Sequence, residues 1–451
     1  MAGDRRTHRR TASLLAALTI AVVVAACGAT PVVTPSPPIG AASGAIPQDG
    51  SSPAPTGPPP APGHQVYGFV PYWEMDAGIA DHLAATPLTT IGLFSVTHAG
   101  NGSLRTAAPG YAAITGDVGR RVISEAHARG TRVEVVYSSF GLARNAKLFG
   151  TVALQDKVIA SLVQFVGEVG ADGVNVDVEA LDSLLVPAYA GFLTRLRVAL
   201  VAAHPGDQVS VATQANMLGA AMAVGAIEAN ADRIFLMAYD YRTGGSAPGA
   251  TSPIARRDGV DQDIPWSLDL YAALGVPPQK LLLGLPLYGV TWPVVGPDIG
   301  APSTGRGAAW ILRKHVDLLG NPAAIPVRDE IEAVEVYALG SDGSIGPPAS
   351  GAPSASAEAV SIPPGLVALP STAASPTSSA SPTPAPASAA PSTPVTWNAV
   401  YVDSPATLAM KMGLALDRGL AGVGFWAIGY ERGLPGYTDV MTRFADGAAL
   451  P

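Results

Sequence analysis

Asp172-Gly173-Val174-Asn175-Val176-Asp177-Val178-Glu179-Ala180 is the stretch whose alternation decides the fold. From 174 to 179 valine takes every second position, and Asn175, Asp177 and Glu179 take the others. Residues two apart on a β-strand share a face. The stretch therefore predicts a strand with one wholly apolar face and one wholly polar face. Carboxylates turned into a core are costly unless paired or put to use. A parallel barrel satisfies both faces: the valines meet the covering helices, and the polar groups run up the interior to the C-terminal rim. Two carboxyls this close do not both ionise freely, so one should hold its proton to higher pH than usual. A retained proton is what a general acid requires at neutral pH.

Working outward, seven more short apolar runs read as buried strands, at 66–71, 90–96, 132–137, 208–213, 233–238, 280–287 and 421–427. With 173–178 they make eight. Amphipathic patterns between them predict helices at 117–129, 156–169, 186–203, 220–230, 266–274 and 404–419, the last two ended by Gly275 and Gly419. The fold class expected is α/β, a (β/α)8 TIM barrel with its active residues at the C-terminal strand ends. The connection from the seventh strand to Ser404 is too long for one loop. Strand-like runs at 333–338 and 397–402 suggest that it holds a small α+β subdomain, over 289–402.

Charged residues make up only 14% of the chain, while Gly and Pro number 50 and 42, so a globular part is diluted by linker. Residues 28–63 carry Asp49 as their only charge, and 341–394 carry only Asp342 and Glu358. Neither stretch can bury enough apolar surface to offset its chain entropy. The first is expected to be a Pro/Ala-rich tether, the second a disordered surface insertion. The net charge of −8 argues against nucleic acid as a partner, since phosphate binding needs a basic surface. The basic start (Arg5, Arg6, Arg9, Arg10) followed by the apolar run 14–26 predicts a signal peptide over 1–26. Val24-Ala25-Ala26-Cys27 resembles a bacterial lipobox, which implies lipidation of Cys27, a membrane partner through that lipid, and an extracytoplasmic location. The alternative is an ordinary secretory cleavage at the same alanines. Cys27 is the only cysteine, so no intrachain disulfide can form.

The 172–180 stretch could also be a satisfied polar ladder or a metal site. The sequence offers no HExxH, no His/Cys cluster at ligand spacing, no P-loop and no G-x-S-x-G elbow, so neither metal nor cofactor is expected. The stretch resembles the DxxDxDxE signature of glycoside hydrolase family 18, the chitinases and their relatives. Met237-Ala238-Tyr239-Asp240-Tyr241, Leu283-Gly284-Leu285-Pro286-Leu287-Tyr288-Gly289 and Gly422-Val423-Gly424-Phe425-Trp426 fit the same family in the same order. One departure is Asn175, where many chitinases carry an acid. The Asn form, the opening 66–73 and the run 397–429 look like the branch that acts on spore or cell-wall peptidoglycan.

The resemblance implies a retaining glycosidase acting on N-acetylhexosamine polymers, either peptidoglycan or chitin, with the substrate's own acetamido oxygen as nucleophile. Glu179 would be the acid and base. Asp177 would orient the acetamido group, and Tyr239 would donate a hydrogen bond to its oxygen. Trp426 is the candidate floor under the reacting sugar. Asp240, Tyr241, Asn175, Tyr72 and Gln214 are candidate substrate contacts, with Trp73 and Asn216 as weaker ones. His98, just past the second strand, is expected to be structural. Two other readings stand beside this one: a sugar-binding protein on the same barrel without turnover, and an envelope scaffold.

Overall fold

The computed structural model describes residues 64–346 and 395–451. Eight parallel strands close into a barrel: β1 (Gln65–Pro71), β2 (Thr90–Val96), β3 (Arg132–Phe140), β4 (Gly173–Glu179), β5 (Gln208–Gln214), β6 (Arg233–Met237), β7 (Leu281–Pro286) and β14 (Gly422–Trp426). Around the ring β1 pairs with β14 and β2, and the remaining strands follow in order. On β4 the valines 174, 176 and 178 join the layer between strands and helices. The other face of the ring encloses a separate aromatic cluster built from Tyr67, Phe69, Phe94 and Phe235. Phe235 fills the centre because two facing positions are glycines. A Cβ at Gly284 or at Gly424 would lie 2.4 Å from its ring. The glycines of the seventh and eighth strand motifs are therefore clearance for one phenylalanine. At the entry to β4, Gly173 has φ +147, and a Cβ there would meet Gln208 O at 2.1 Å.

The helices follow the predicted positions with shifted starts. The one expected at 156 begins four residues earlier, as Val152–Val169. The one expected at 220 is Met217–Glu228, capped by the Asn216 side chain, which accepts from Gly219 N–H at 2.9 Å. The helix Pro405–Asp417 opens with a capping box on Ser404 and Thr407. Gly275 and Gly419 end their helices with φ of +86° and +62°.

Between β7 and β14 the chain adds a second, antiparallel sheet. Its strands are β8 (Tyr288–Val294), β9 (Ala308–Ile311), β10 (Val327–Asp329), β11 (Val334–Gly340), β12 (Ile345–Gly346) and β13 (Trp397–Val402). Only two of these six were expected from the sequence. Trp292, Val336 and Tyr401 anchor its core. The stretch expected to be disordered from 341 needs correction at its start. Residues 341–346 form a turn and then β12, paired with β11. The rest of that stretch, the signal peptide, the tether and the lipidation site Cys27 lie outside the described residues.

The helix Pro405–Asp417 packs on β7 and β14, and a buried ion pair ties it to the end of the chain segment that enters it. Lys411 bonds Asp403, which also accepts from Thr407 Oγ1 at 2.9 Å, and both charged groups are closed off from solvent. Removing one member of a buried pair strands the other. Lys411→Ala is expected to cost about 3–5 kcal/mol, read from the urea unfolding midpoint. Lys411→Met combined with Asp403→Leu, which leaves neither charge, is expected to cost clearly less.

Candidate active site

The polar face of β4 opens into a cleft of about 780 Å³ at the C-terminal mouth of the barrel. Asp177 lies opposite Ser138 of β3 and Ala212 of β5, and Glu179 opposite Phe140 at the end of β3. Just past Glu179 the backbone turns through Ala180 in the left-handed region, φ +59. That conformation costs a non-glycine residue on the order of 1 kcal/mol, so something must hold it. The brace is Asn145, wholly buried in the helix Leu142–Phe149. Its Nδ2 donates to Glu179 O at 2.6 Å and to Ala180 O at 3.2 Å, and its Oδ1 accepts from Ser139 Oγ at 2.7 Å. The strand end that carries Glu179 is thus tied to the neighbouring helix.

Burial governs the electrostatics. Asp177 is 4% exposed, and its Oδ1 has no hydrogen-bond partner among the described residues. Desolvation, then the nearby Glu179, pushes its carboxyl well above the usual range. Glu179 is half-buried and is raised too, by burial and then by Asp240, against a hydrogen bond from Gln214. Tyr239, also half-buried, is held as a phenol by burial and by the three carboxyls Asp177, Asp240 and Glu179, so its O–H remains a donor. Asp240 follows with φ +60. Its Oδ1 accepts from the Tyr288 hydroxyl, and its N–H donates to Thr251 Oγ1 at 3.1 Å.

Aromatic rings form the opposite wall. Trp426, the last residue of β14, stands edge-on to Phe94 at 4.8 Å and is tilted against Phe69 at 5.6 Å. Tyr72 and Trp73 follow β1, and the Trp73 indole donates to Tyr430 Oη at 3.1 Å. Trp73 is 45% exposed, and so is Phe140, on the far side of Phe94. Flat rings with free faces at a polar site suit ligands that present C–H surface as well as hydroxyls.

Of the residues predicted from sequence, Glu179, Asp177, Tyr239, Asp240, Tyr241, Tyr72, Trp73, Gln214, Asn216 and Trp426 all line this cleft. Tyr241 also bonds Ser267 Oγ at 2.7 Å, and Asn216 caps its helix. Asn175 is the exception and corrects the expectation that it touches a ligand. It is fully buried below the cleft, and its amide donates to Ser210 Oγ at 2.7 Å. His98 is buried, with Nδ1 hydrogen-bonded at 2.6 Å to Tyr137 Oη. Burial and the cations Arg144 and Lys147 lower its pKa to about 4, so at neutral pH the ring is uncharged. Sequence reasoning missed Phe94, Phe140, Met237, Gln262 and Tyr288 as lining residues. Phe140 was hidden because β3 runs three residues past its predicted end. Tyr288 sat inside a quoted motif, but its bond to Asp240 is tertiary. Among the described residues, no group of three or more His, Cys, Asp and Glu is placed to hold a metal ion.

The raised carboxyl of Asp177 carries a stability consequence. Its folded pKa lies above the unfolded value, so as pH rises the unfolded chain releases this proton first and gains stability relative to the fold. The penalty is absent below about pH 4 and grows above it. Asp177→Asn is therefore expected to raise Tm at pH 7 by about 2–4 °C. The gain should vanish in calorimetry near pH 3–4.

The sequence and fold have known counterparts. The family model for "Glycosyl hydrolases family 18" matches residues 123–431. Chitotriosidase-1 of Mus musculus is 27% identical over 198 residues, which is 38% of this chain and 41% of that protein. The chain spans less than half the length of the curated relatives it matches. The Group IV chitinase of Ostrinia furnacalis, solved in complex with allosamidin, superimposes with a TM-score of 0.65 at 15% identity, covering 86% of this chain and 100% of that one. The spore cortex-lytic enzyme SleL of Bacillus cereus superimposes with a TM-score of 0.59 at 15% identity, covering 84% and 73%. With the signature strand, the three later motifs and a family match over most of its length, the chain belongs to glycosyl hydrolase family 18.

Proposed function

We propose that this chain hydrolyses β-1,4 bonds of N-acetylglucosamine-containing glycans, with retention of configuration and with the substrate's own acetamido group as nucleophile. The single observation that carries the reading is the pairing of Asp177 and Glu179 on one face of β4, directed into a cleft with an aromatic far wall. A carboxyl raised by burial is a proton donor where ordinary carboxylates are spent. In the first step Glu179 gives its proton to the leaving glycosidic oxygen as the C1–O bond breaks. The acetamido oxygen closes on C1 from the opposite face. Asp177 accepts the acetamido N–H and offsets the positive charge that develops on the ring. Tyr239 donates its phenol hydrogen bond to the acetamido oxygen. In the second step Glu179 takes a proton from water, which attacks C1 and reopens the ring. Trp426 lies under the reacting sugar, and Asp240, Tyr241 and Gln214 bond its hydroxyls.

Peptidoglycan is the favoured glycan and chitin the second. Support comes from Asn175 in place of an acid and from a fold neighbour named for spore-cortex lysis. The same reading keeps the N-terminal segment as a lipid tether through Cys27, outside the cytoplasm. Cys27→Ser is expected to move the protein from the membrane fraction to the soluble one.

General acid catalysis is worth about 100- to 10,000-fold, so Glu179→Gln should lose at least that much in kcat with no loss of Tm. Activity of the parent should fall as pH rises through the raised pKa of Glu179, because the first step needs its proton. The direct test incubates the purified chain with peptidoglycan and with chitin oligomers, then looks for new reducing ends by mass. Binding of either glycan without cleavage would replace the hydrolase reading with a lectin-like one.

A further inference from the structure

Below the cleft the barrel interior holds a second carboxyl that the proposed reaction does not use. Glu134 of β3 is 2% exposed. Its Oε2 accepts from Tyr67 Oη at 2.9 Å and from the Ser210 hydroxyl of β5. Ser210 in turn accepts from Asn175 Nδ2 at 2.7 Å. A chain of hydrogen bonds therefore climbs from β3 to β5 to β4 and ends two residues below Asp177.

The direction of the chain follows from donor chemistry. Ser210 has one proton, and it goes to the carboxylate. Its oxygen must then accept, so it faces the N–H side of the Asn175 amide. The carbonyl side is left facing elsewhere. Asn175 Oδ1 and Asp177 Oδ1 are both buried acceptors without a partner among the described residues. They belong to neighbouring inward positions of one strand, and one proton on Asp177 would satisfy both.

We infer that Glu134 is a positioning residue: acting through Ser210, it fixes the Asn175 amide with Oδ1 toward Asp177 and so keeps a proton on Asp177 while no substrate is bound. The inference rests on the reading of Asp177 as a catalytic group. Asn175 then does in part what an acid would do at that position, since it accepts a hydrogen bond from the protonated carboxyl. The acid itself stands one strand away, on β3. Reversing the amide would present N–H to Asp177 and favour its ionised form. The two acids thus titrate as a linked pair. Other groups act on this pair. Arg132 of β3, Asp172 before β4 and Arg233 of β6 act on Glu134. Glu179 raises Asp177, while Tyr67, Tyr189 and Tyr239 feel its charge.

The test follows the Asp177 carboxyl by 13C NMR across a pH series in the full chain without substrate. It compares the parent with Glu134→Gln and with Ser210→Ala, which breaks the link and leaves Glu134 in place. In both variants the amide is released, and Asp177 should become an acid about tenfold stronger. The acid limb of kcat/KM for glycan hydrolysis should move down by the same amount, with KM little changed. A structural role alone would lower Tm and leave the Asp177 titration where it was. An unmoved titration in a folded variant of either kind overturns the inference. If the parent hydrolyses no glycan but its Asp177 titration shifts in both variants, the hydrolase reading fails and the linkage stands.

Discussion

The structure depends on keeping one carboxyl, Asp177, out of water without giving it a cation. Burial raises its pKa more than any other influence, and the acid two residues on adds to the effect. An acid in that state is a net cost to folding at neutral pH. It persists because the rest of the ring is tightly determined. Phe235 is locked between two glycine clearances, and Phe69 packs edge-on to it at 4.8 Å. Interiors packed this closely do not deform to admit solvent. Ala180 and Asp240 keep left-handed conformations, the first braced by Asn145 and the second bonded to Tyr288 and Thr251, and both adjoin or carry a site carboxyl. Strain at a site and order around it are two sides of one arrangement.

The barrel interior divides into a lower part where polar groups satisfy each other and an upper part where they face the cleft. Tyr67, Glu134, Ser210 and Asn175 bond in series below. Above, Asp177, Glu179 and Tyr239 have few partners and open into the cleft. A half-satisfied buried network is unfavourable unless its free valences are used. In the proposed reaction the substrate's acetamido group supplies the missing partners. At Asn175 the polar interior is neutral, and the buried carboxyl bonded to it through Ser210 stands on β3, at Glu134.

Much of this was legible from the sequence, for physical reasons. Strict alternation at 174–179 cannot be mistaken, because a one-residue slip would bury the acids among helices. Several of the other barrel strands, such as β2, β6 and β7, are near-continuous apolar runs, as buried parallel strands tend to be. The inserted sheet was less legible, since β9, β10 and β12 are short and half-exposed and carry no periodic signal. Among site residues, most of those inside recognised motifs were found, Met237 and Tyr288 excepted. Phe94 and Phe140 were not, because an aromatic at a strand end looks the same whether it packs a core or lines a cleft. Asn175 was assigned to the correct face but to the wrong depth. Alternation gives direction, while height along the barrel depends on how neighbouring strands are staggered.

That stagger also explains why the chemistry is one-sided. Strands β4, β5 and β6 end in Glu179, Gln214 and the Tyr239–Asp240 turn, so every carboxyl lining the cleft lies on one arc. Strands β14, β1 and β2, with the end of β3, finish in Trp426, the Tyr72–Trp73 turn, Phe94 and Phe140, so the other arc is aromatic. The polar arc alone would be flooded by water, and the acids would return toward ordinary pKa values. The aromatic arc supplies the low-dielectric wall that keeps them raised. Removing ring surface from that wall therefore acts on the acids even where no ring touches them. Trp426 couples the two arcs, because its ring packs on Phe69 and Phe94 while its backbone carbonyl accepts from Leu287 N–H at 2.7 Å, next to the Tyr288 that holds Asp240.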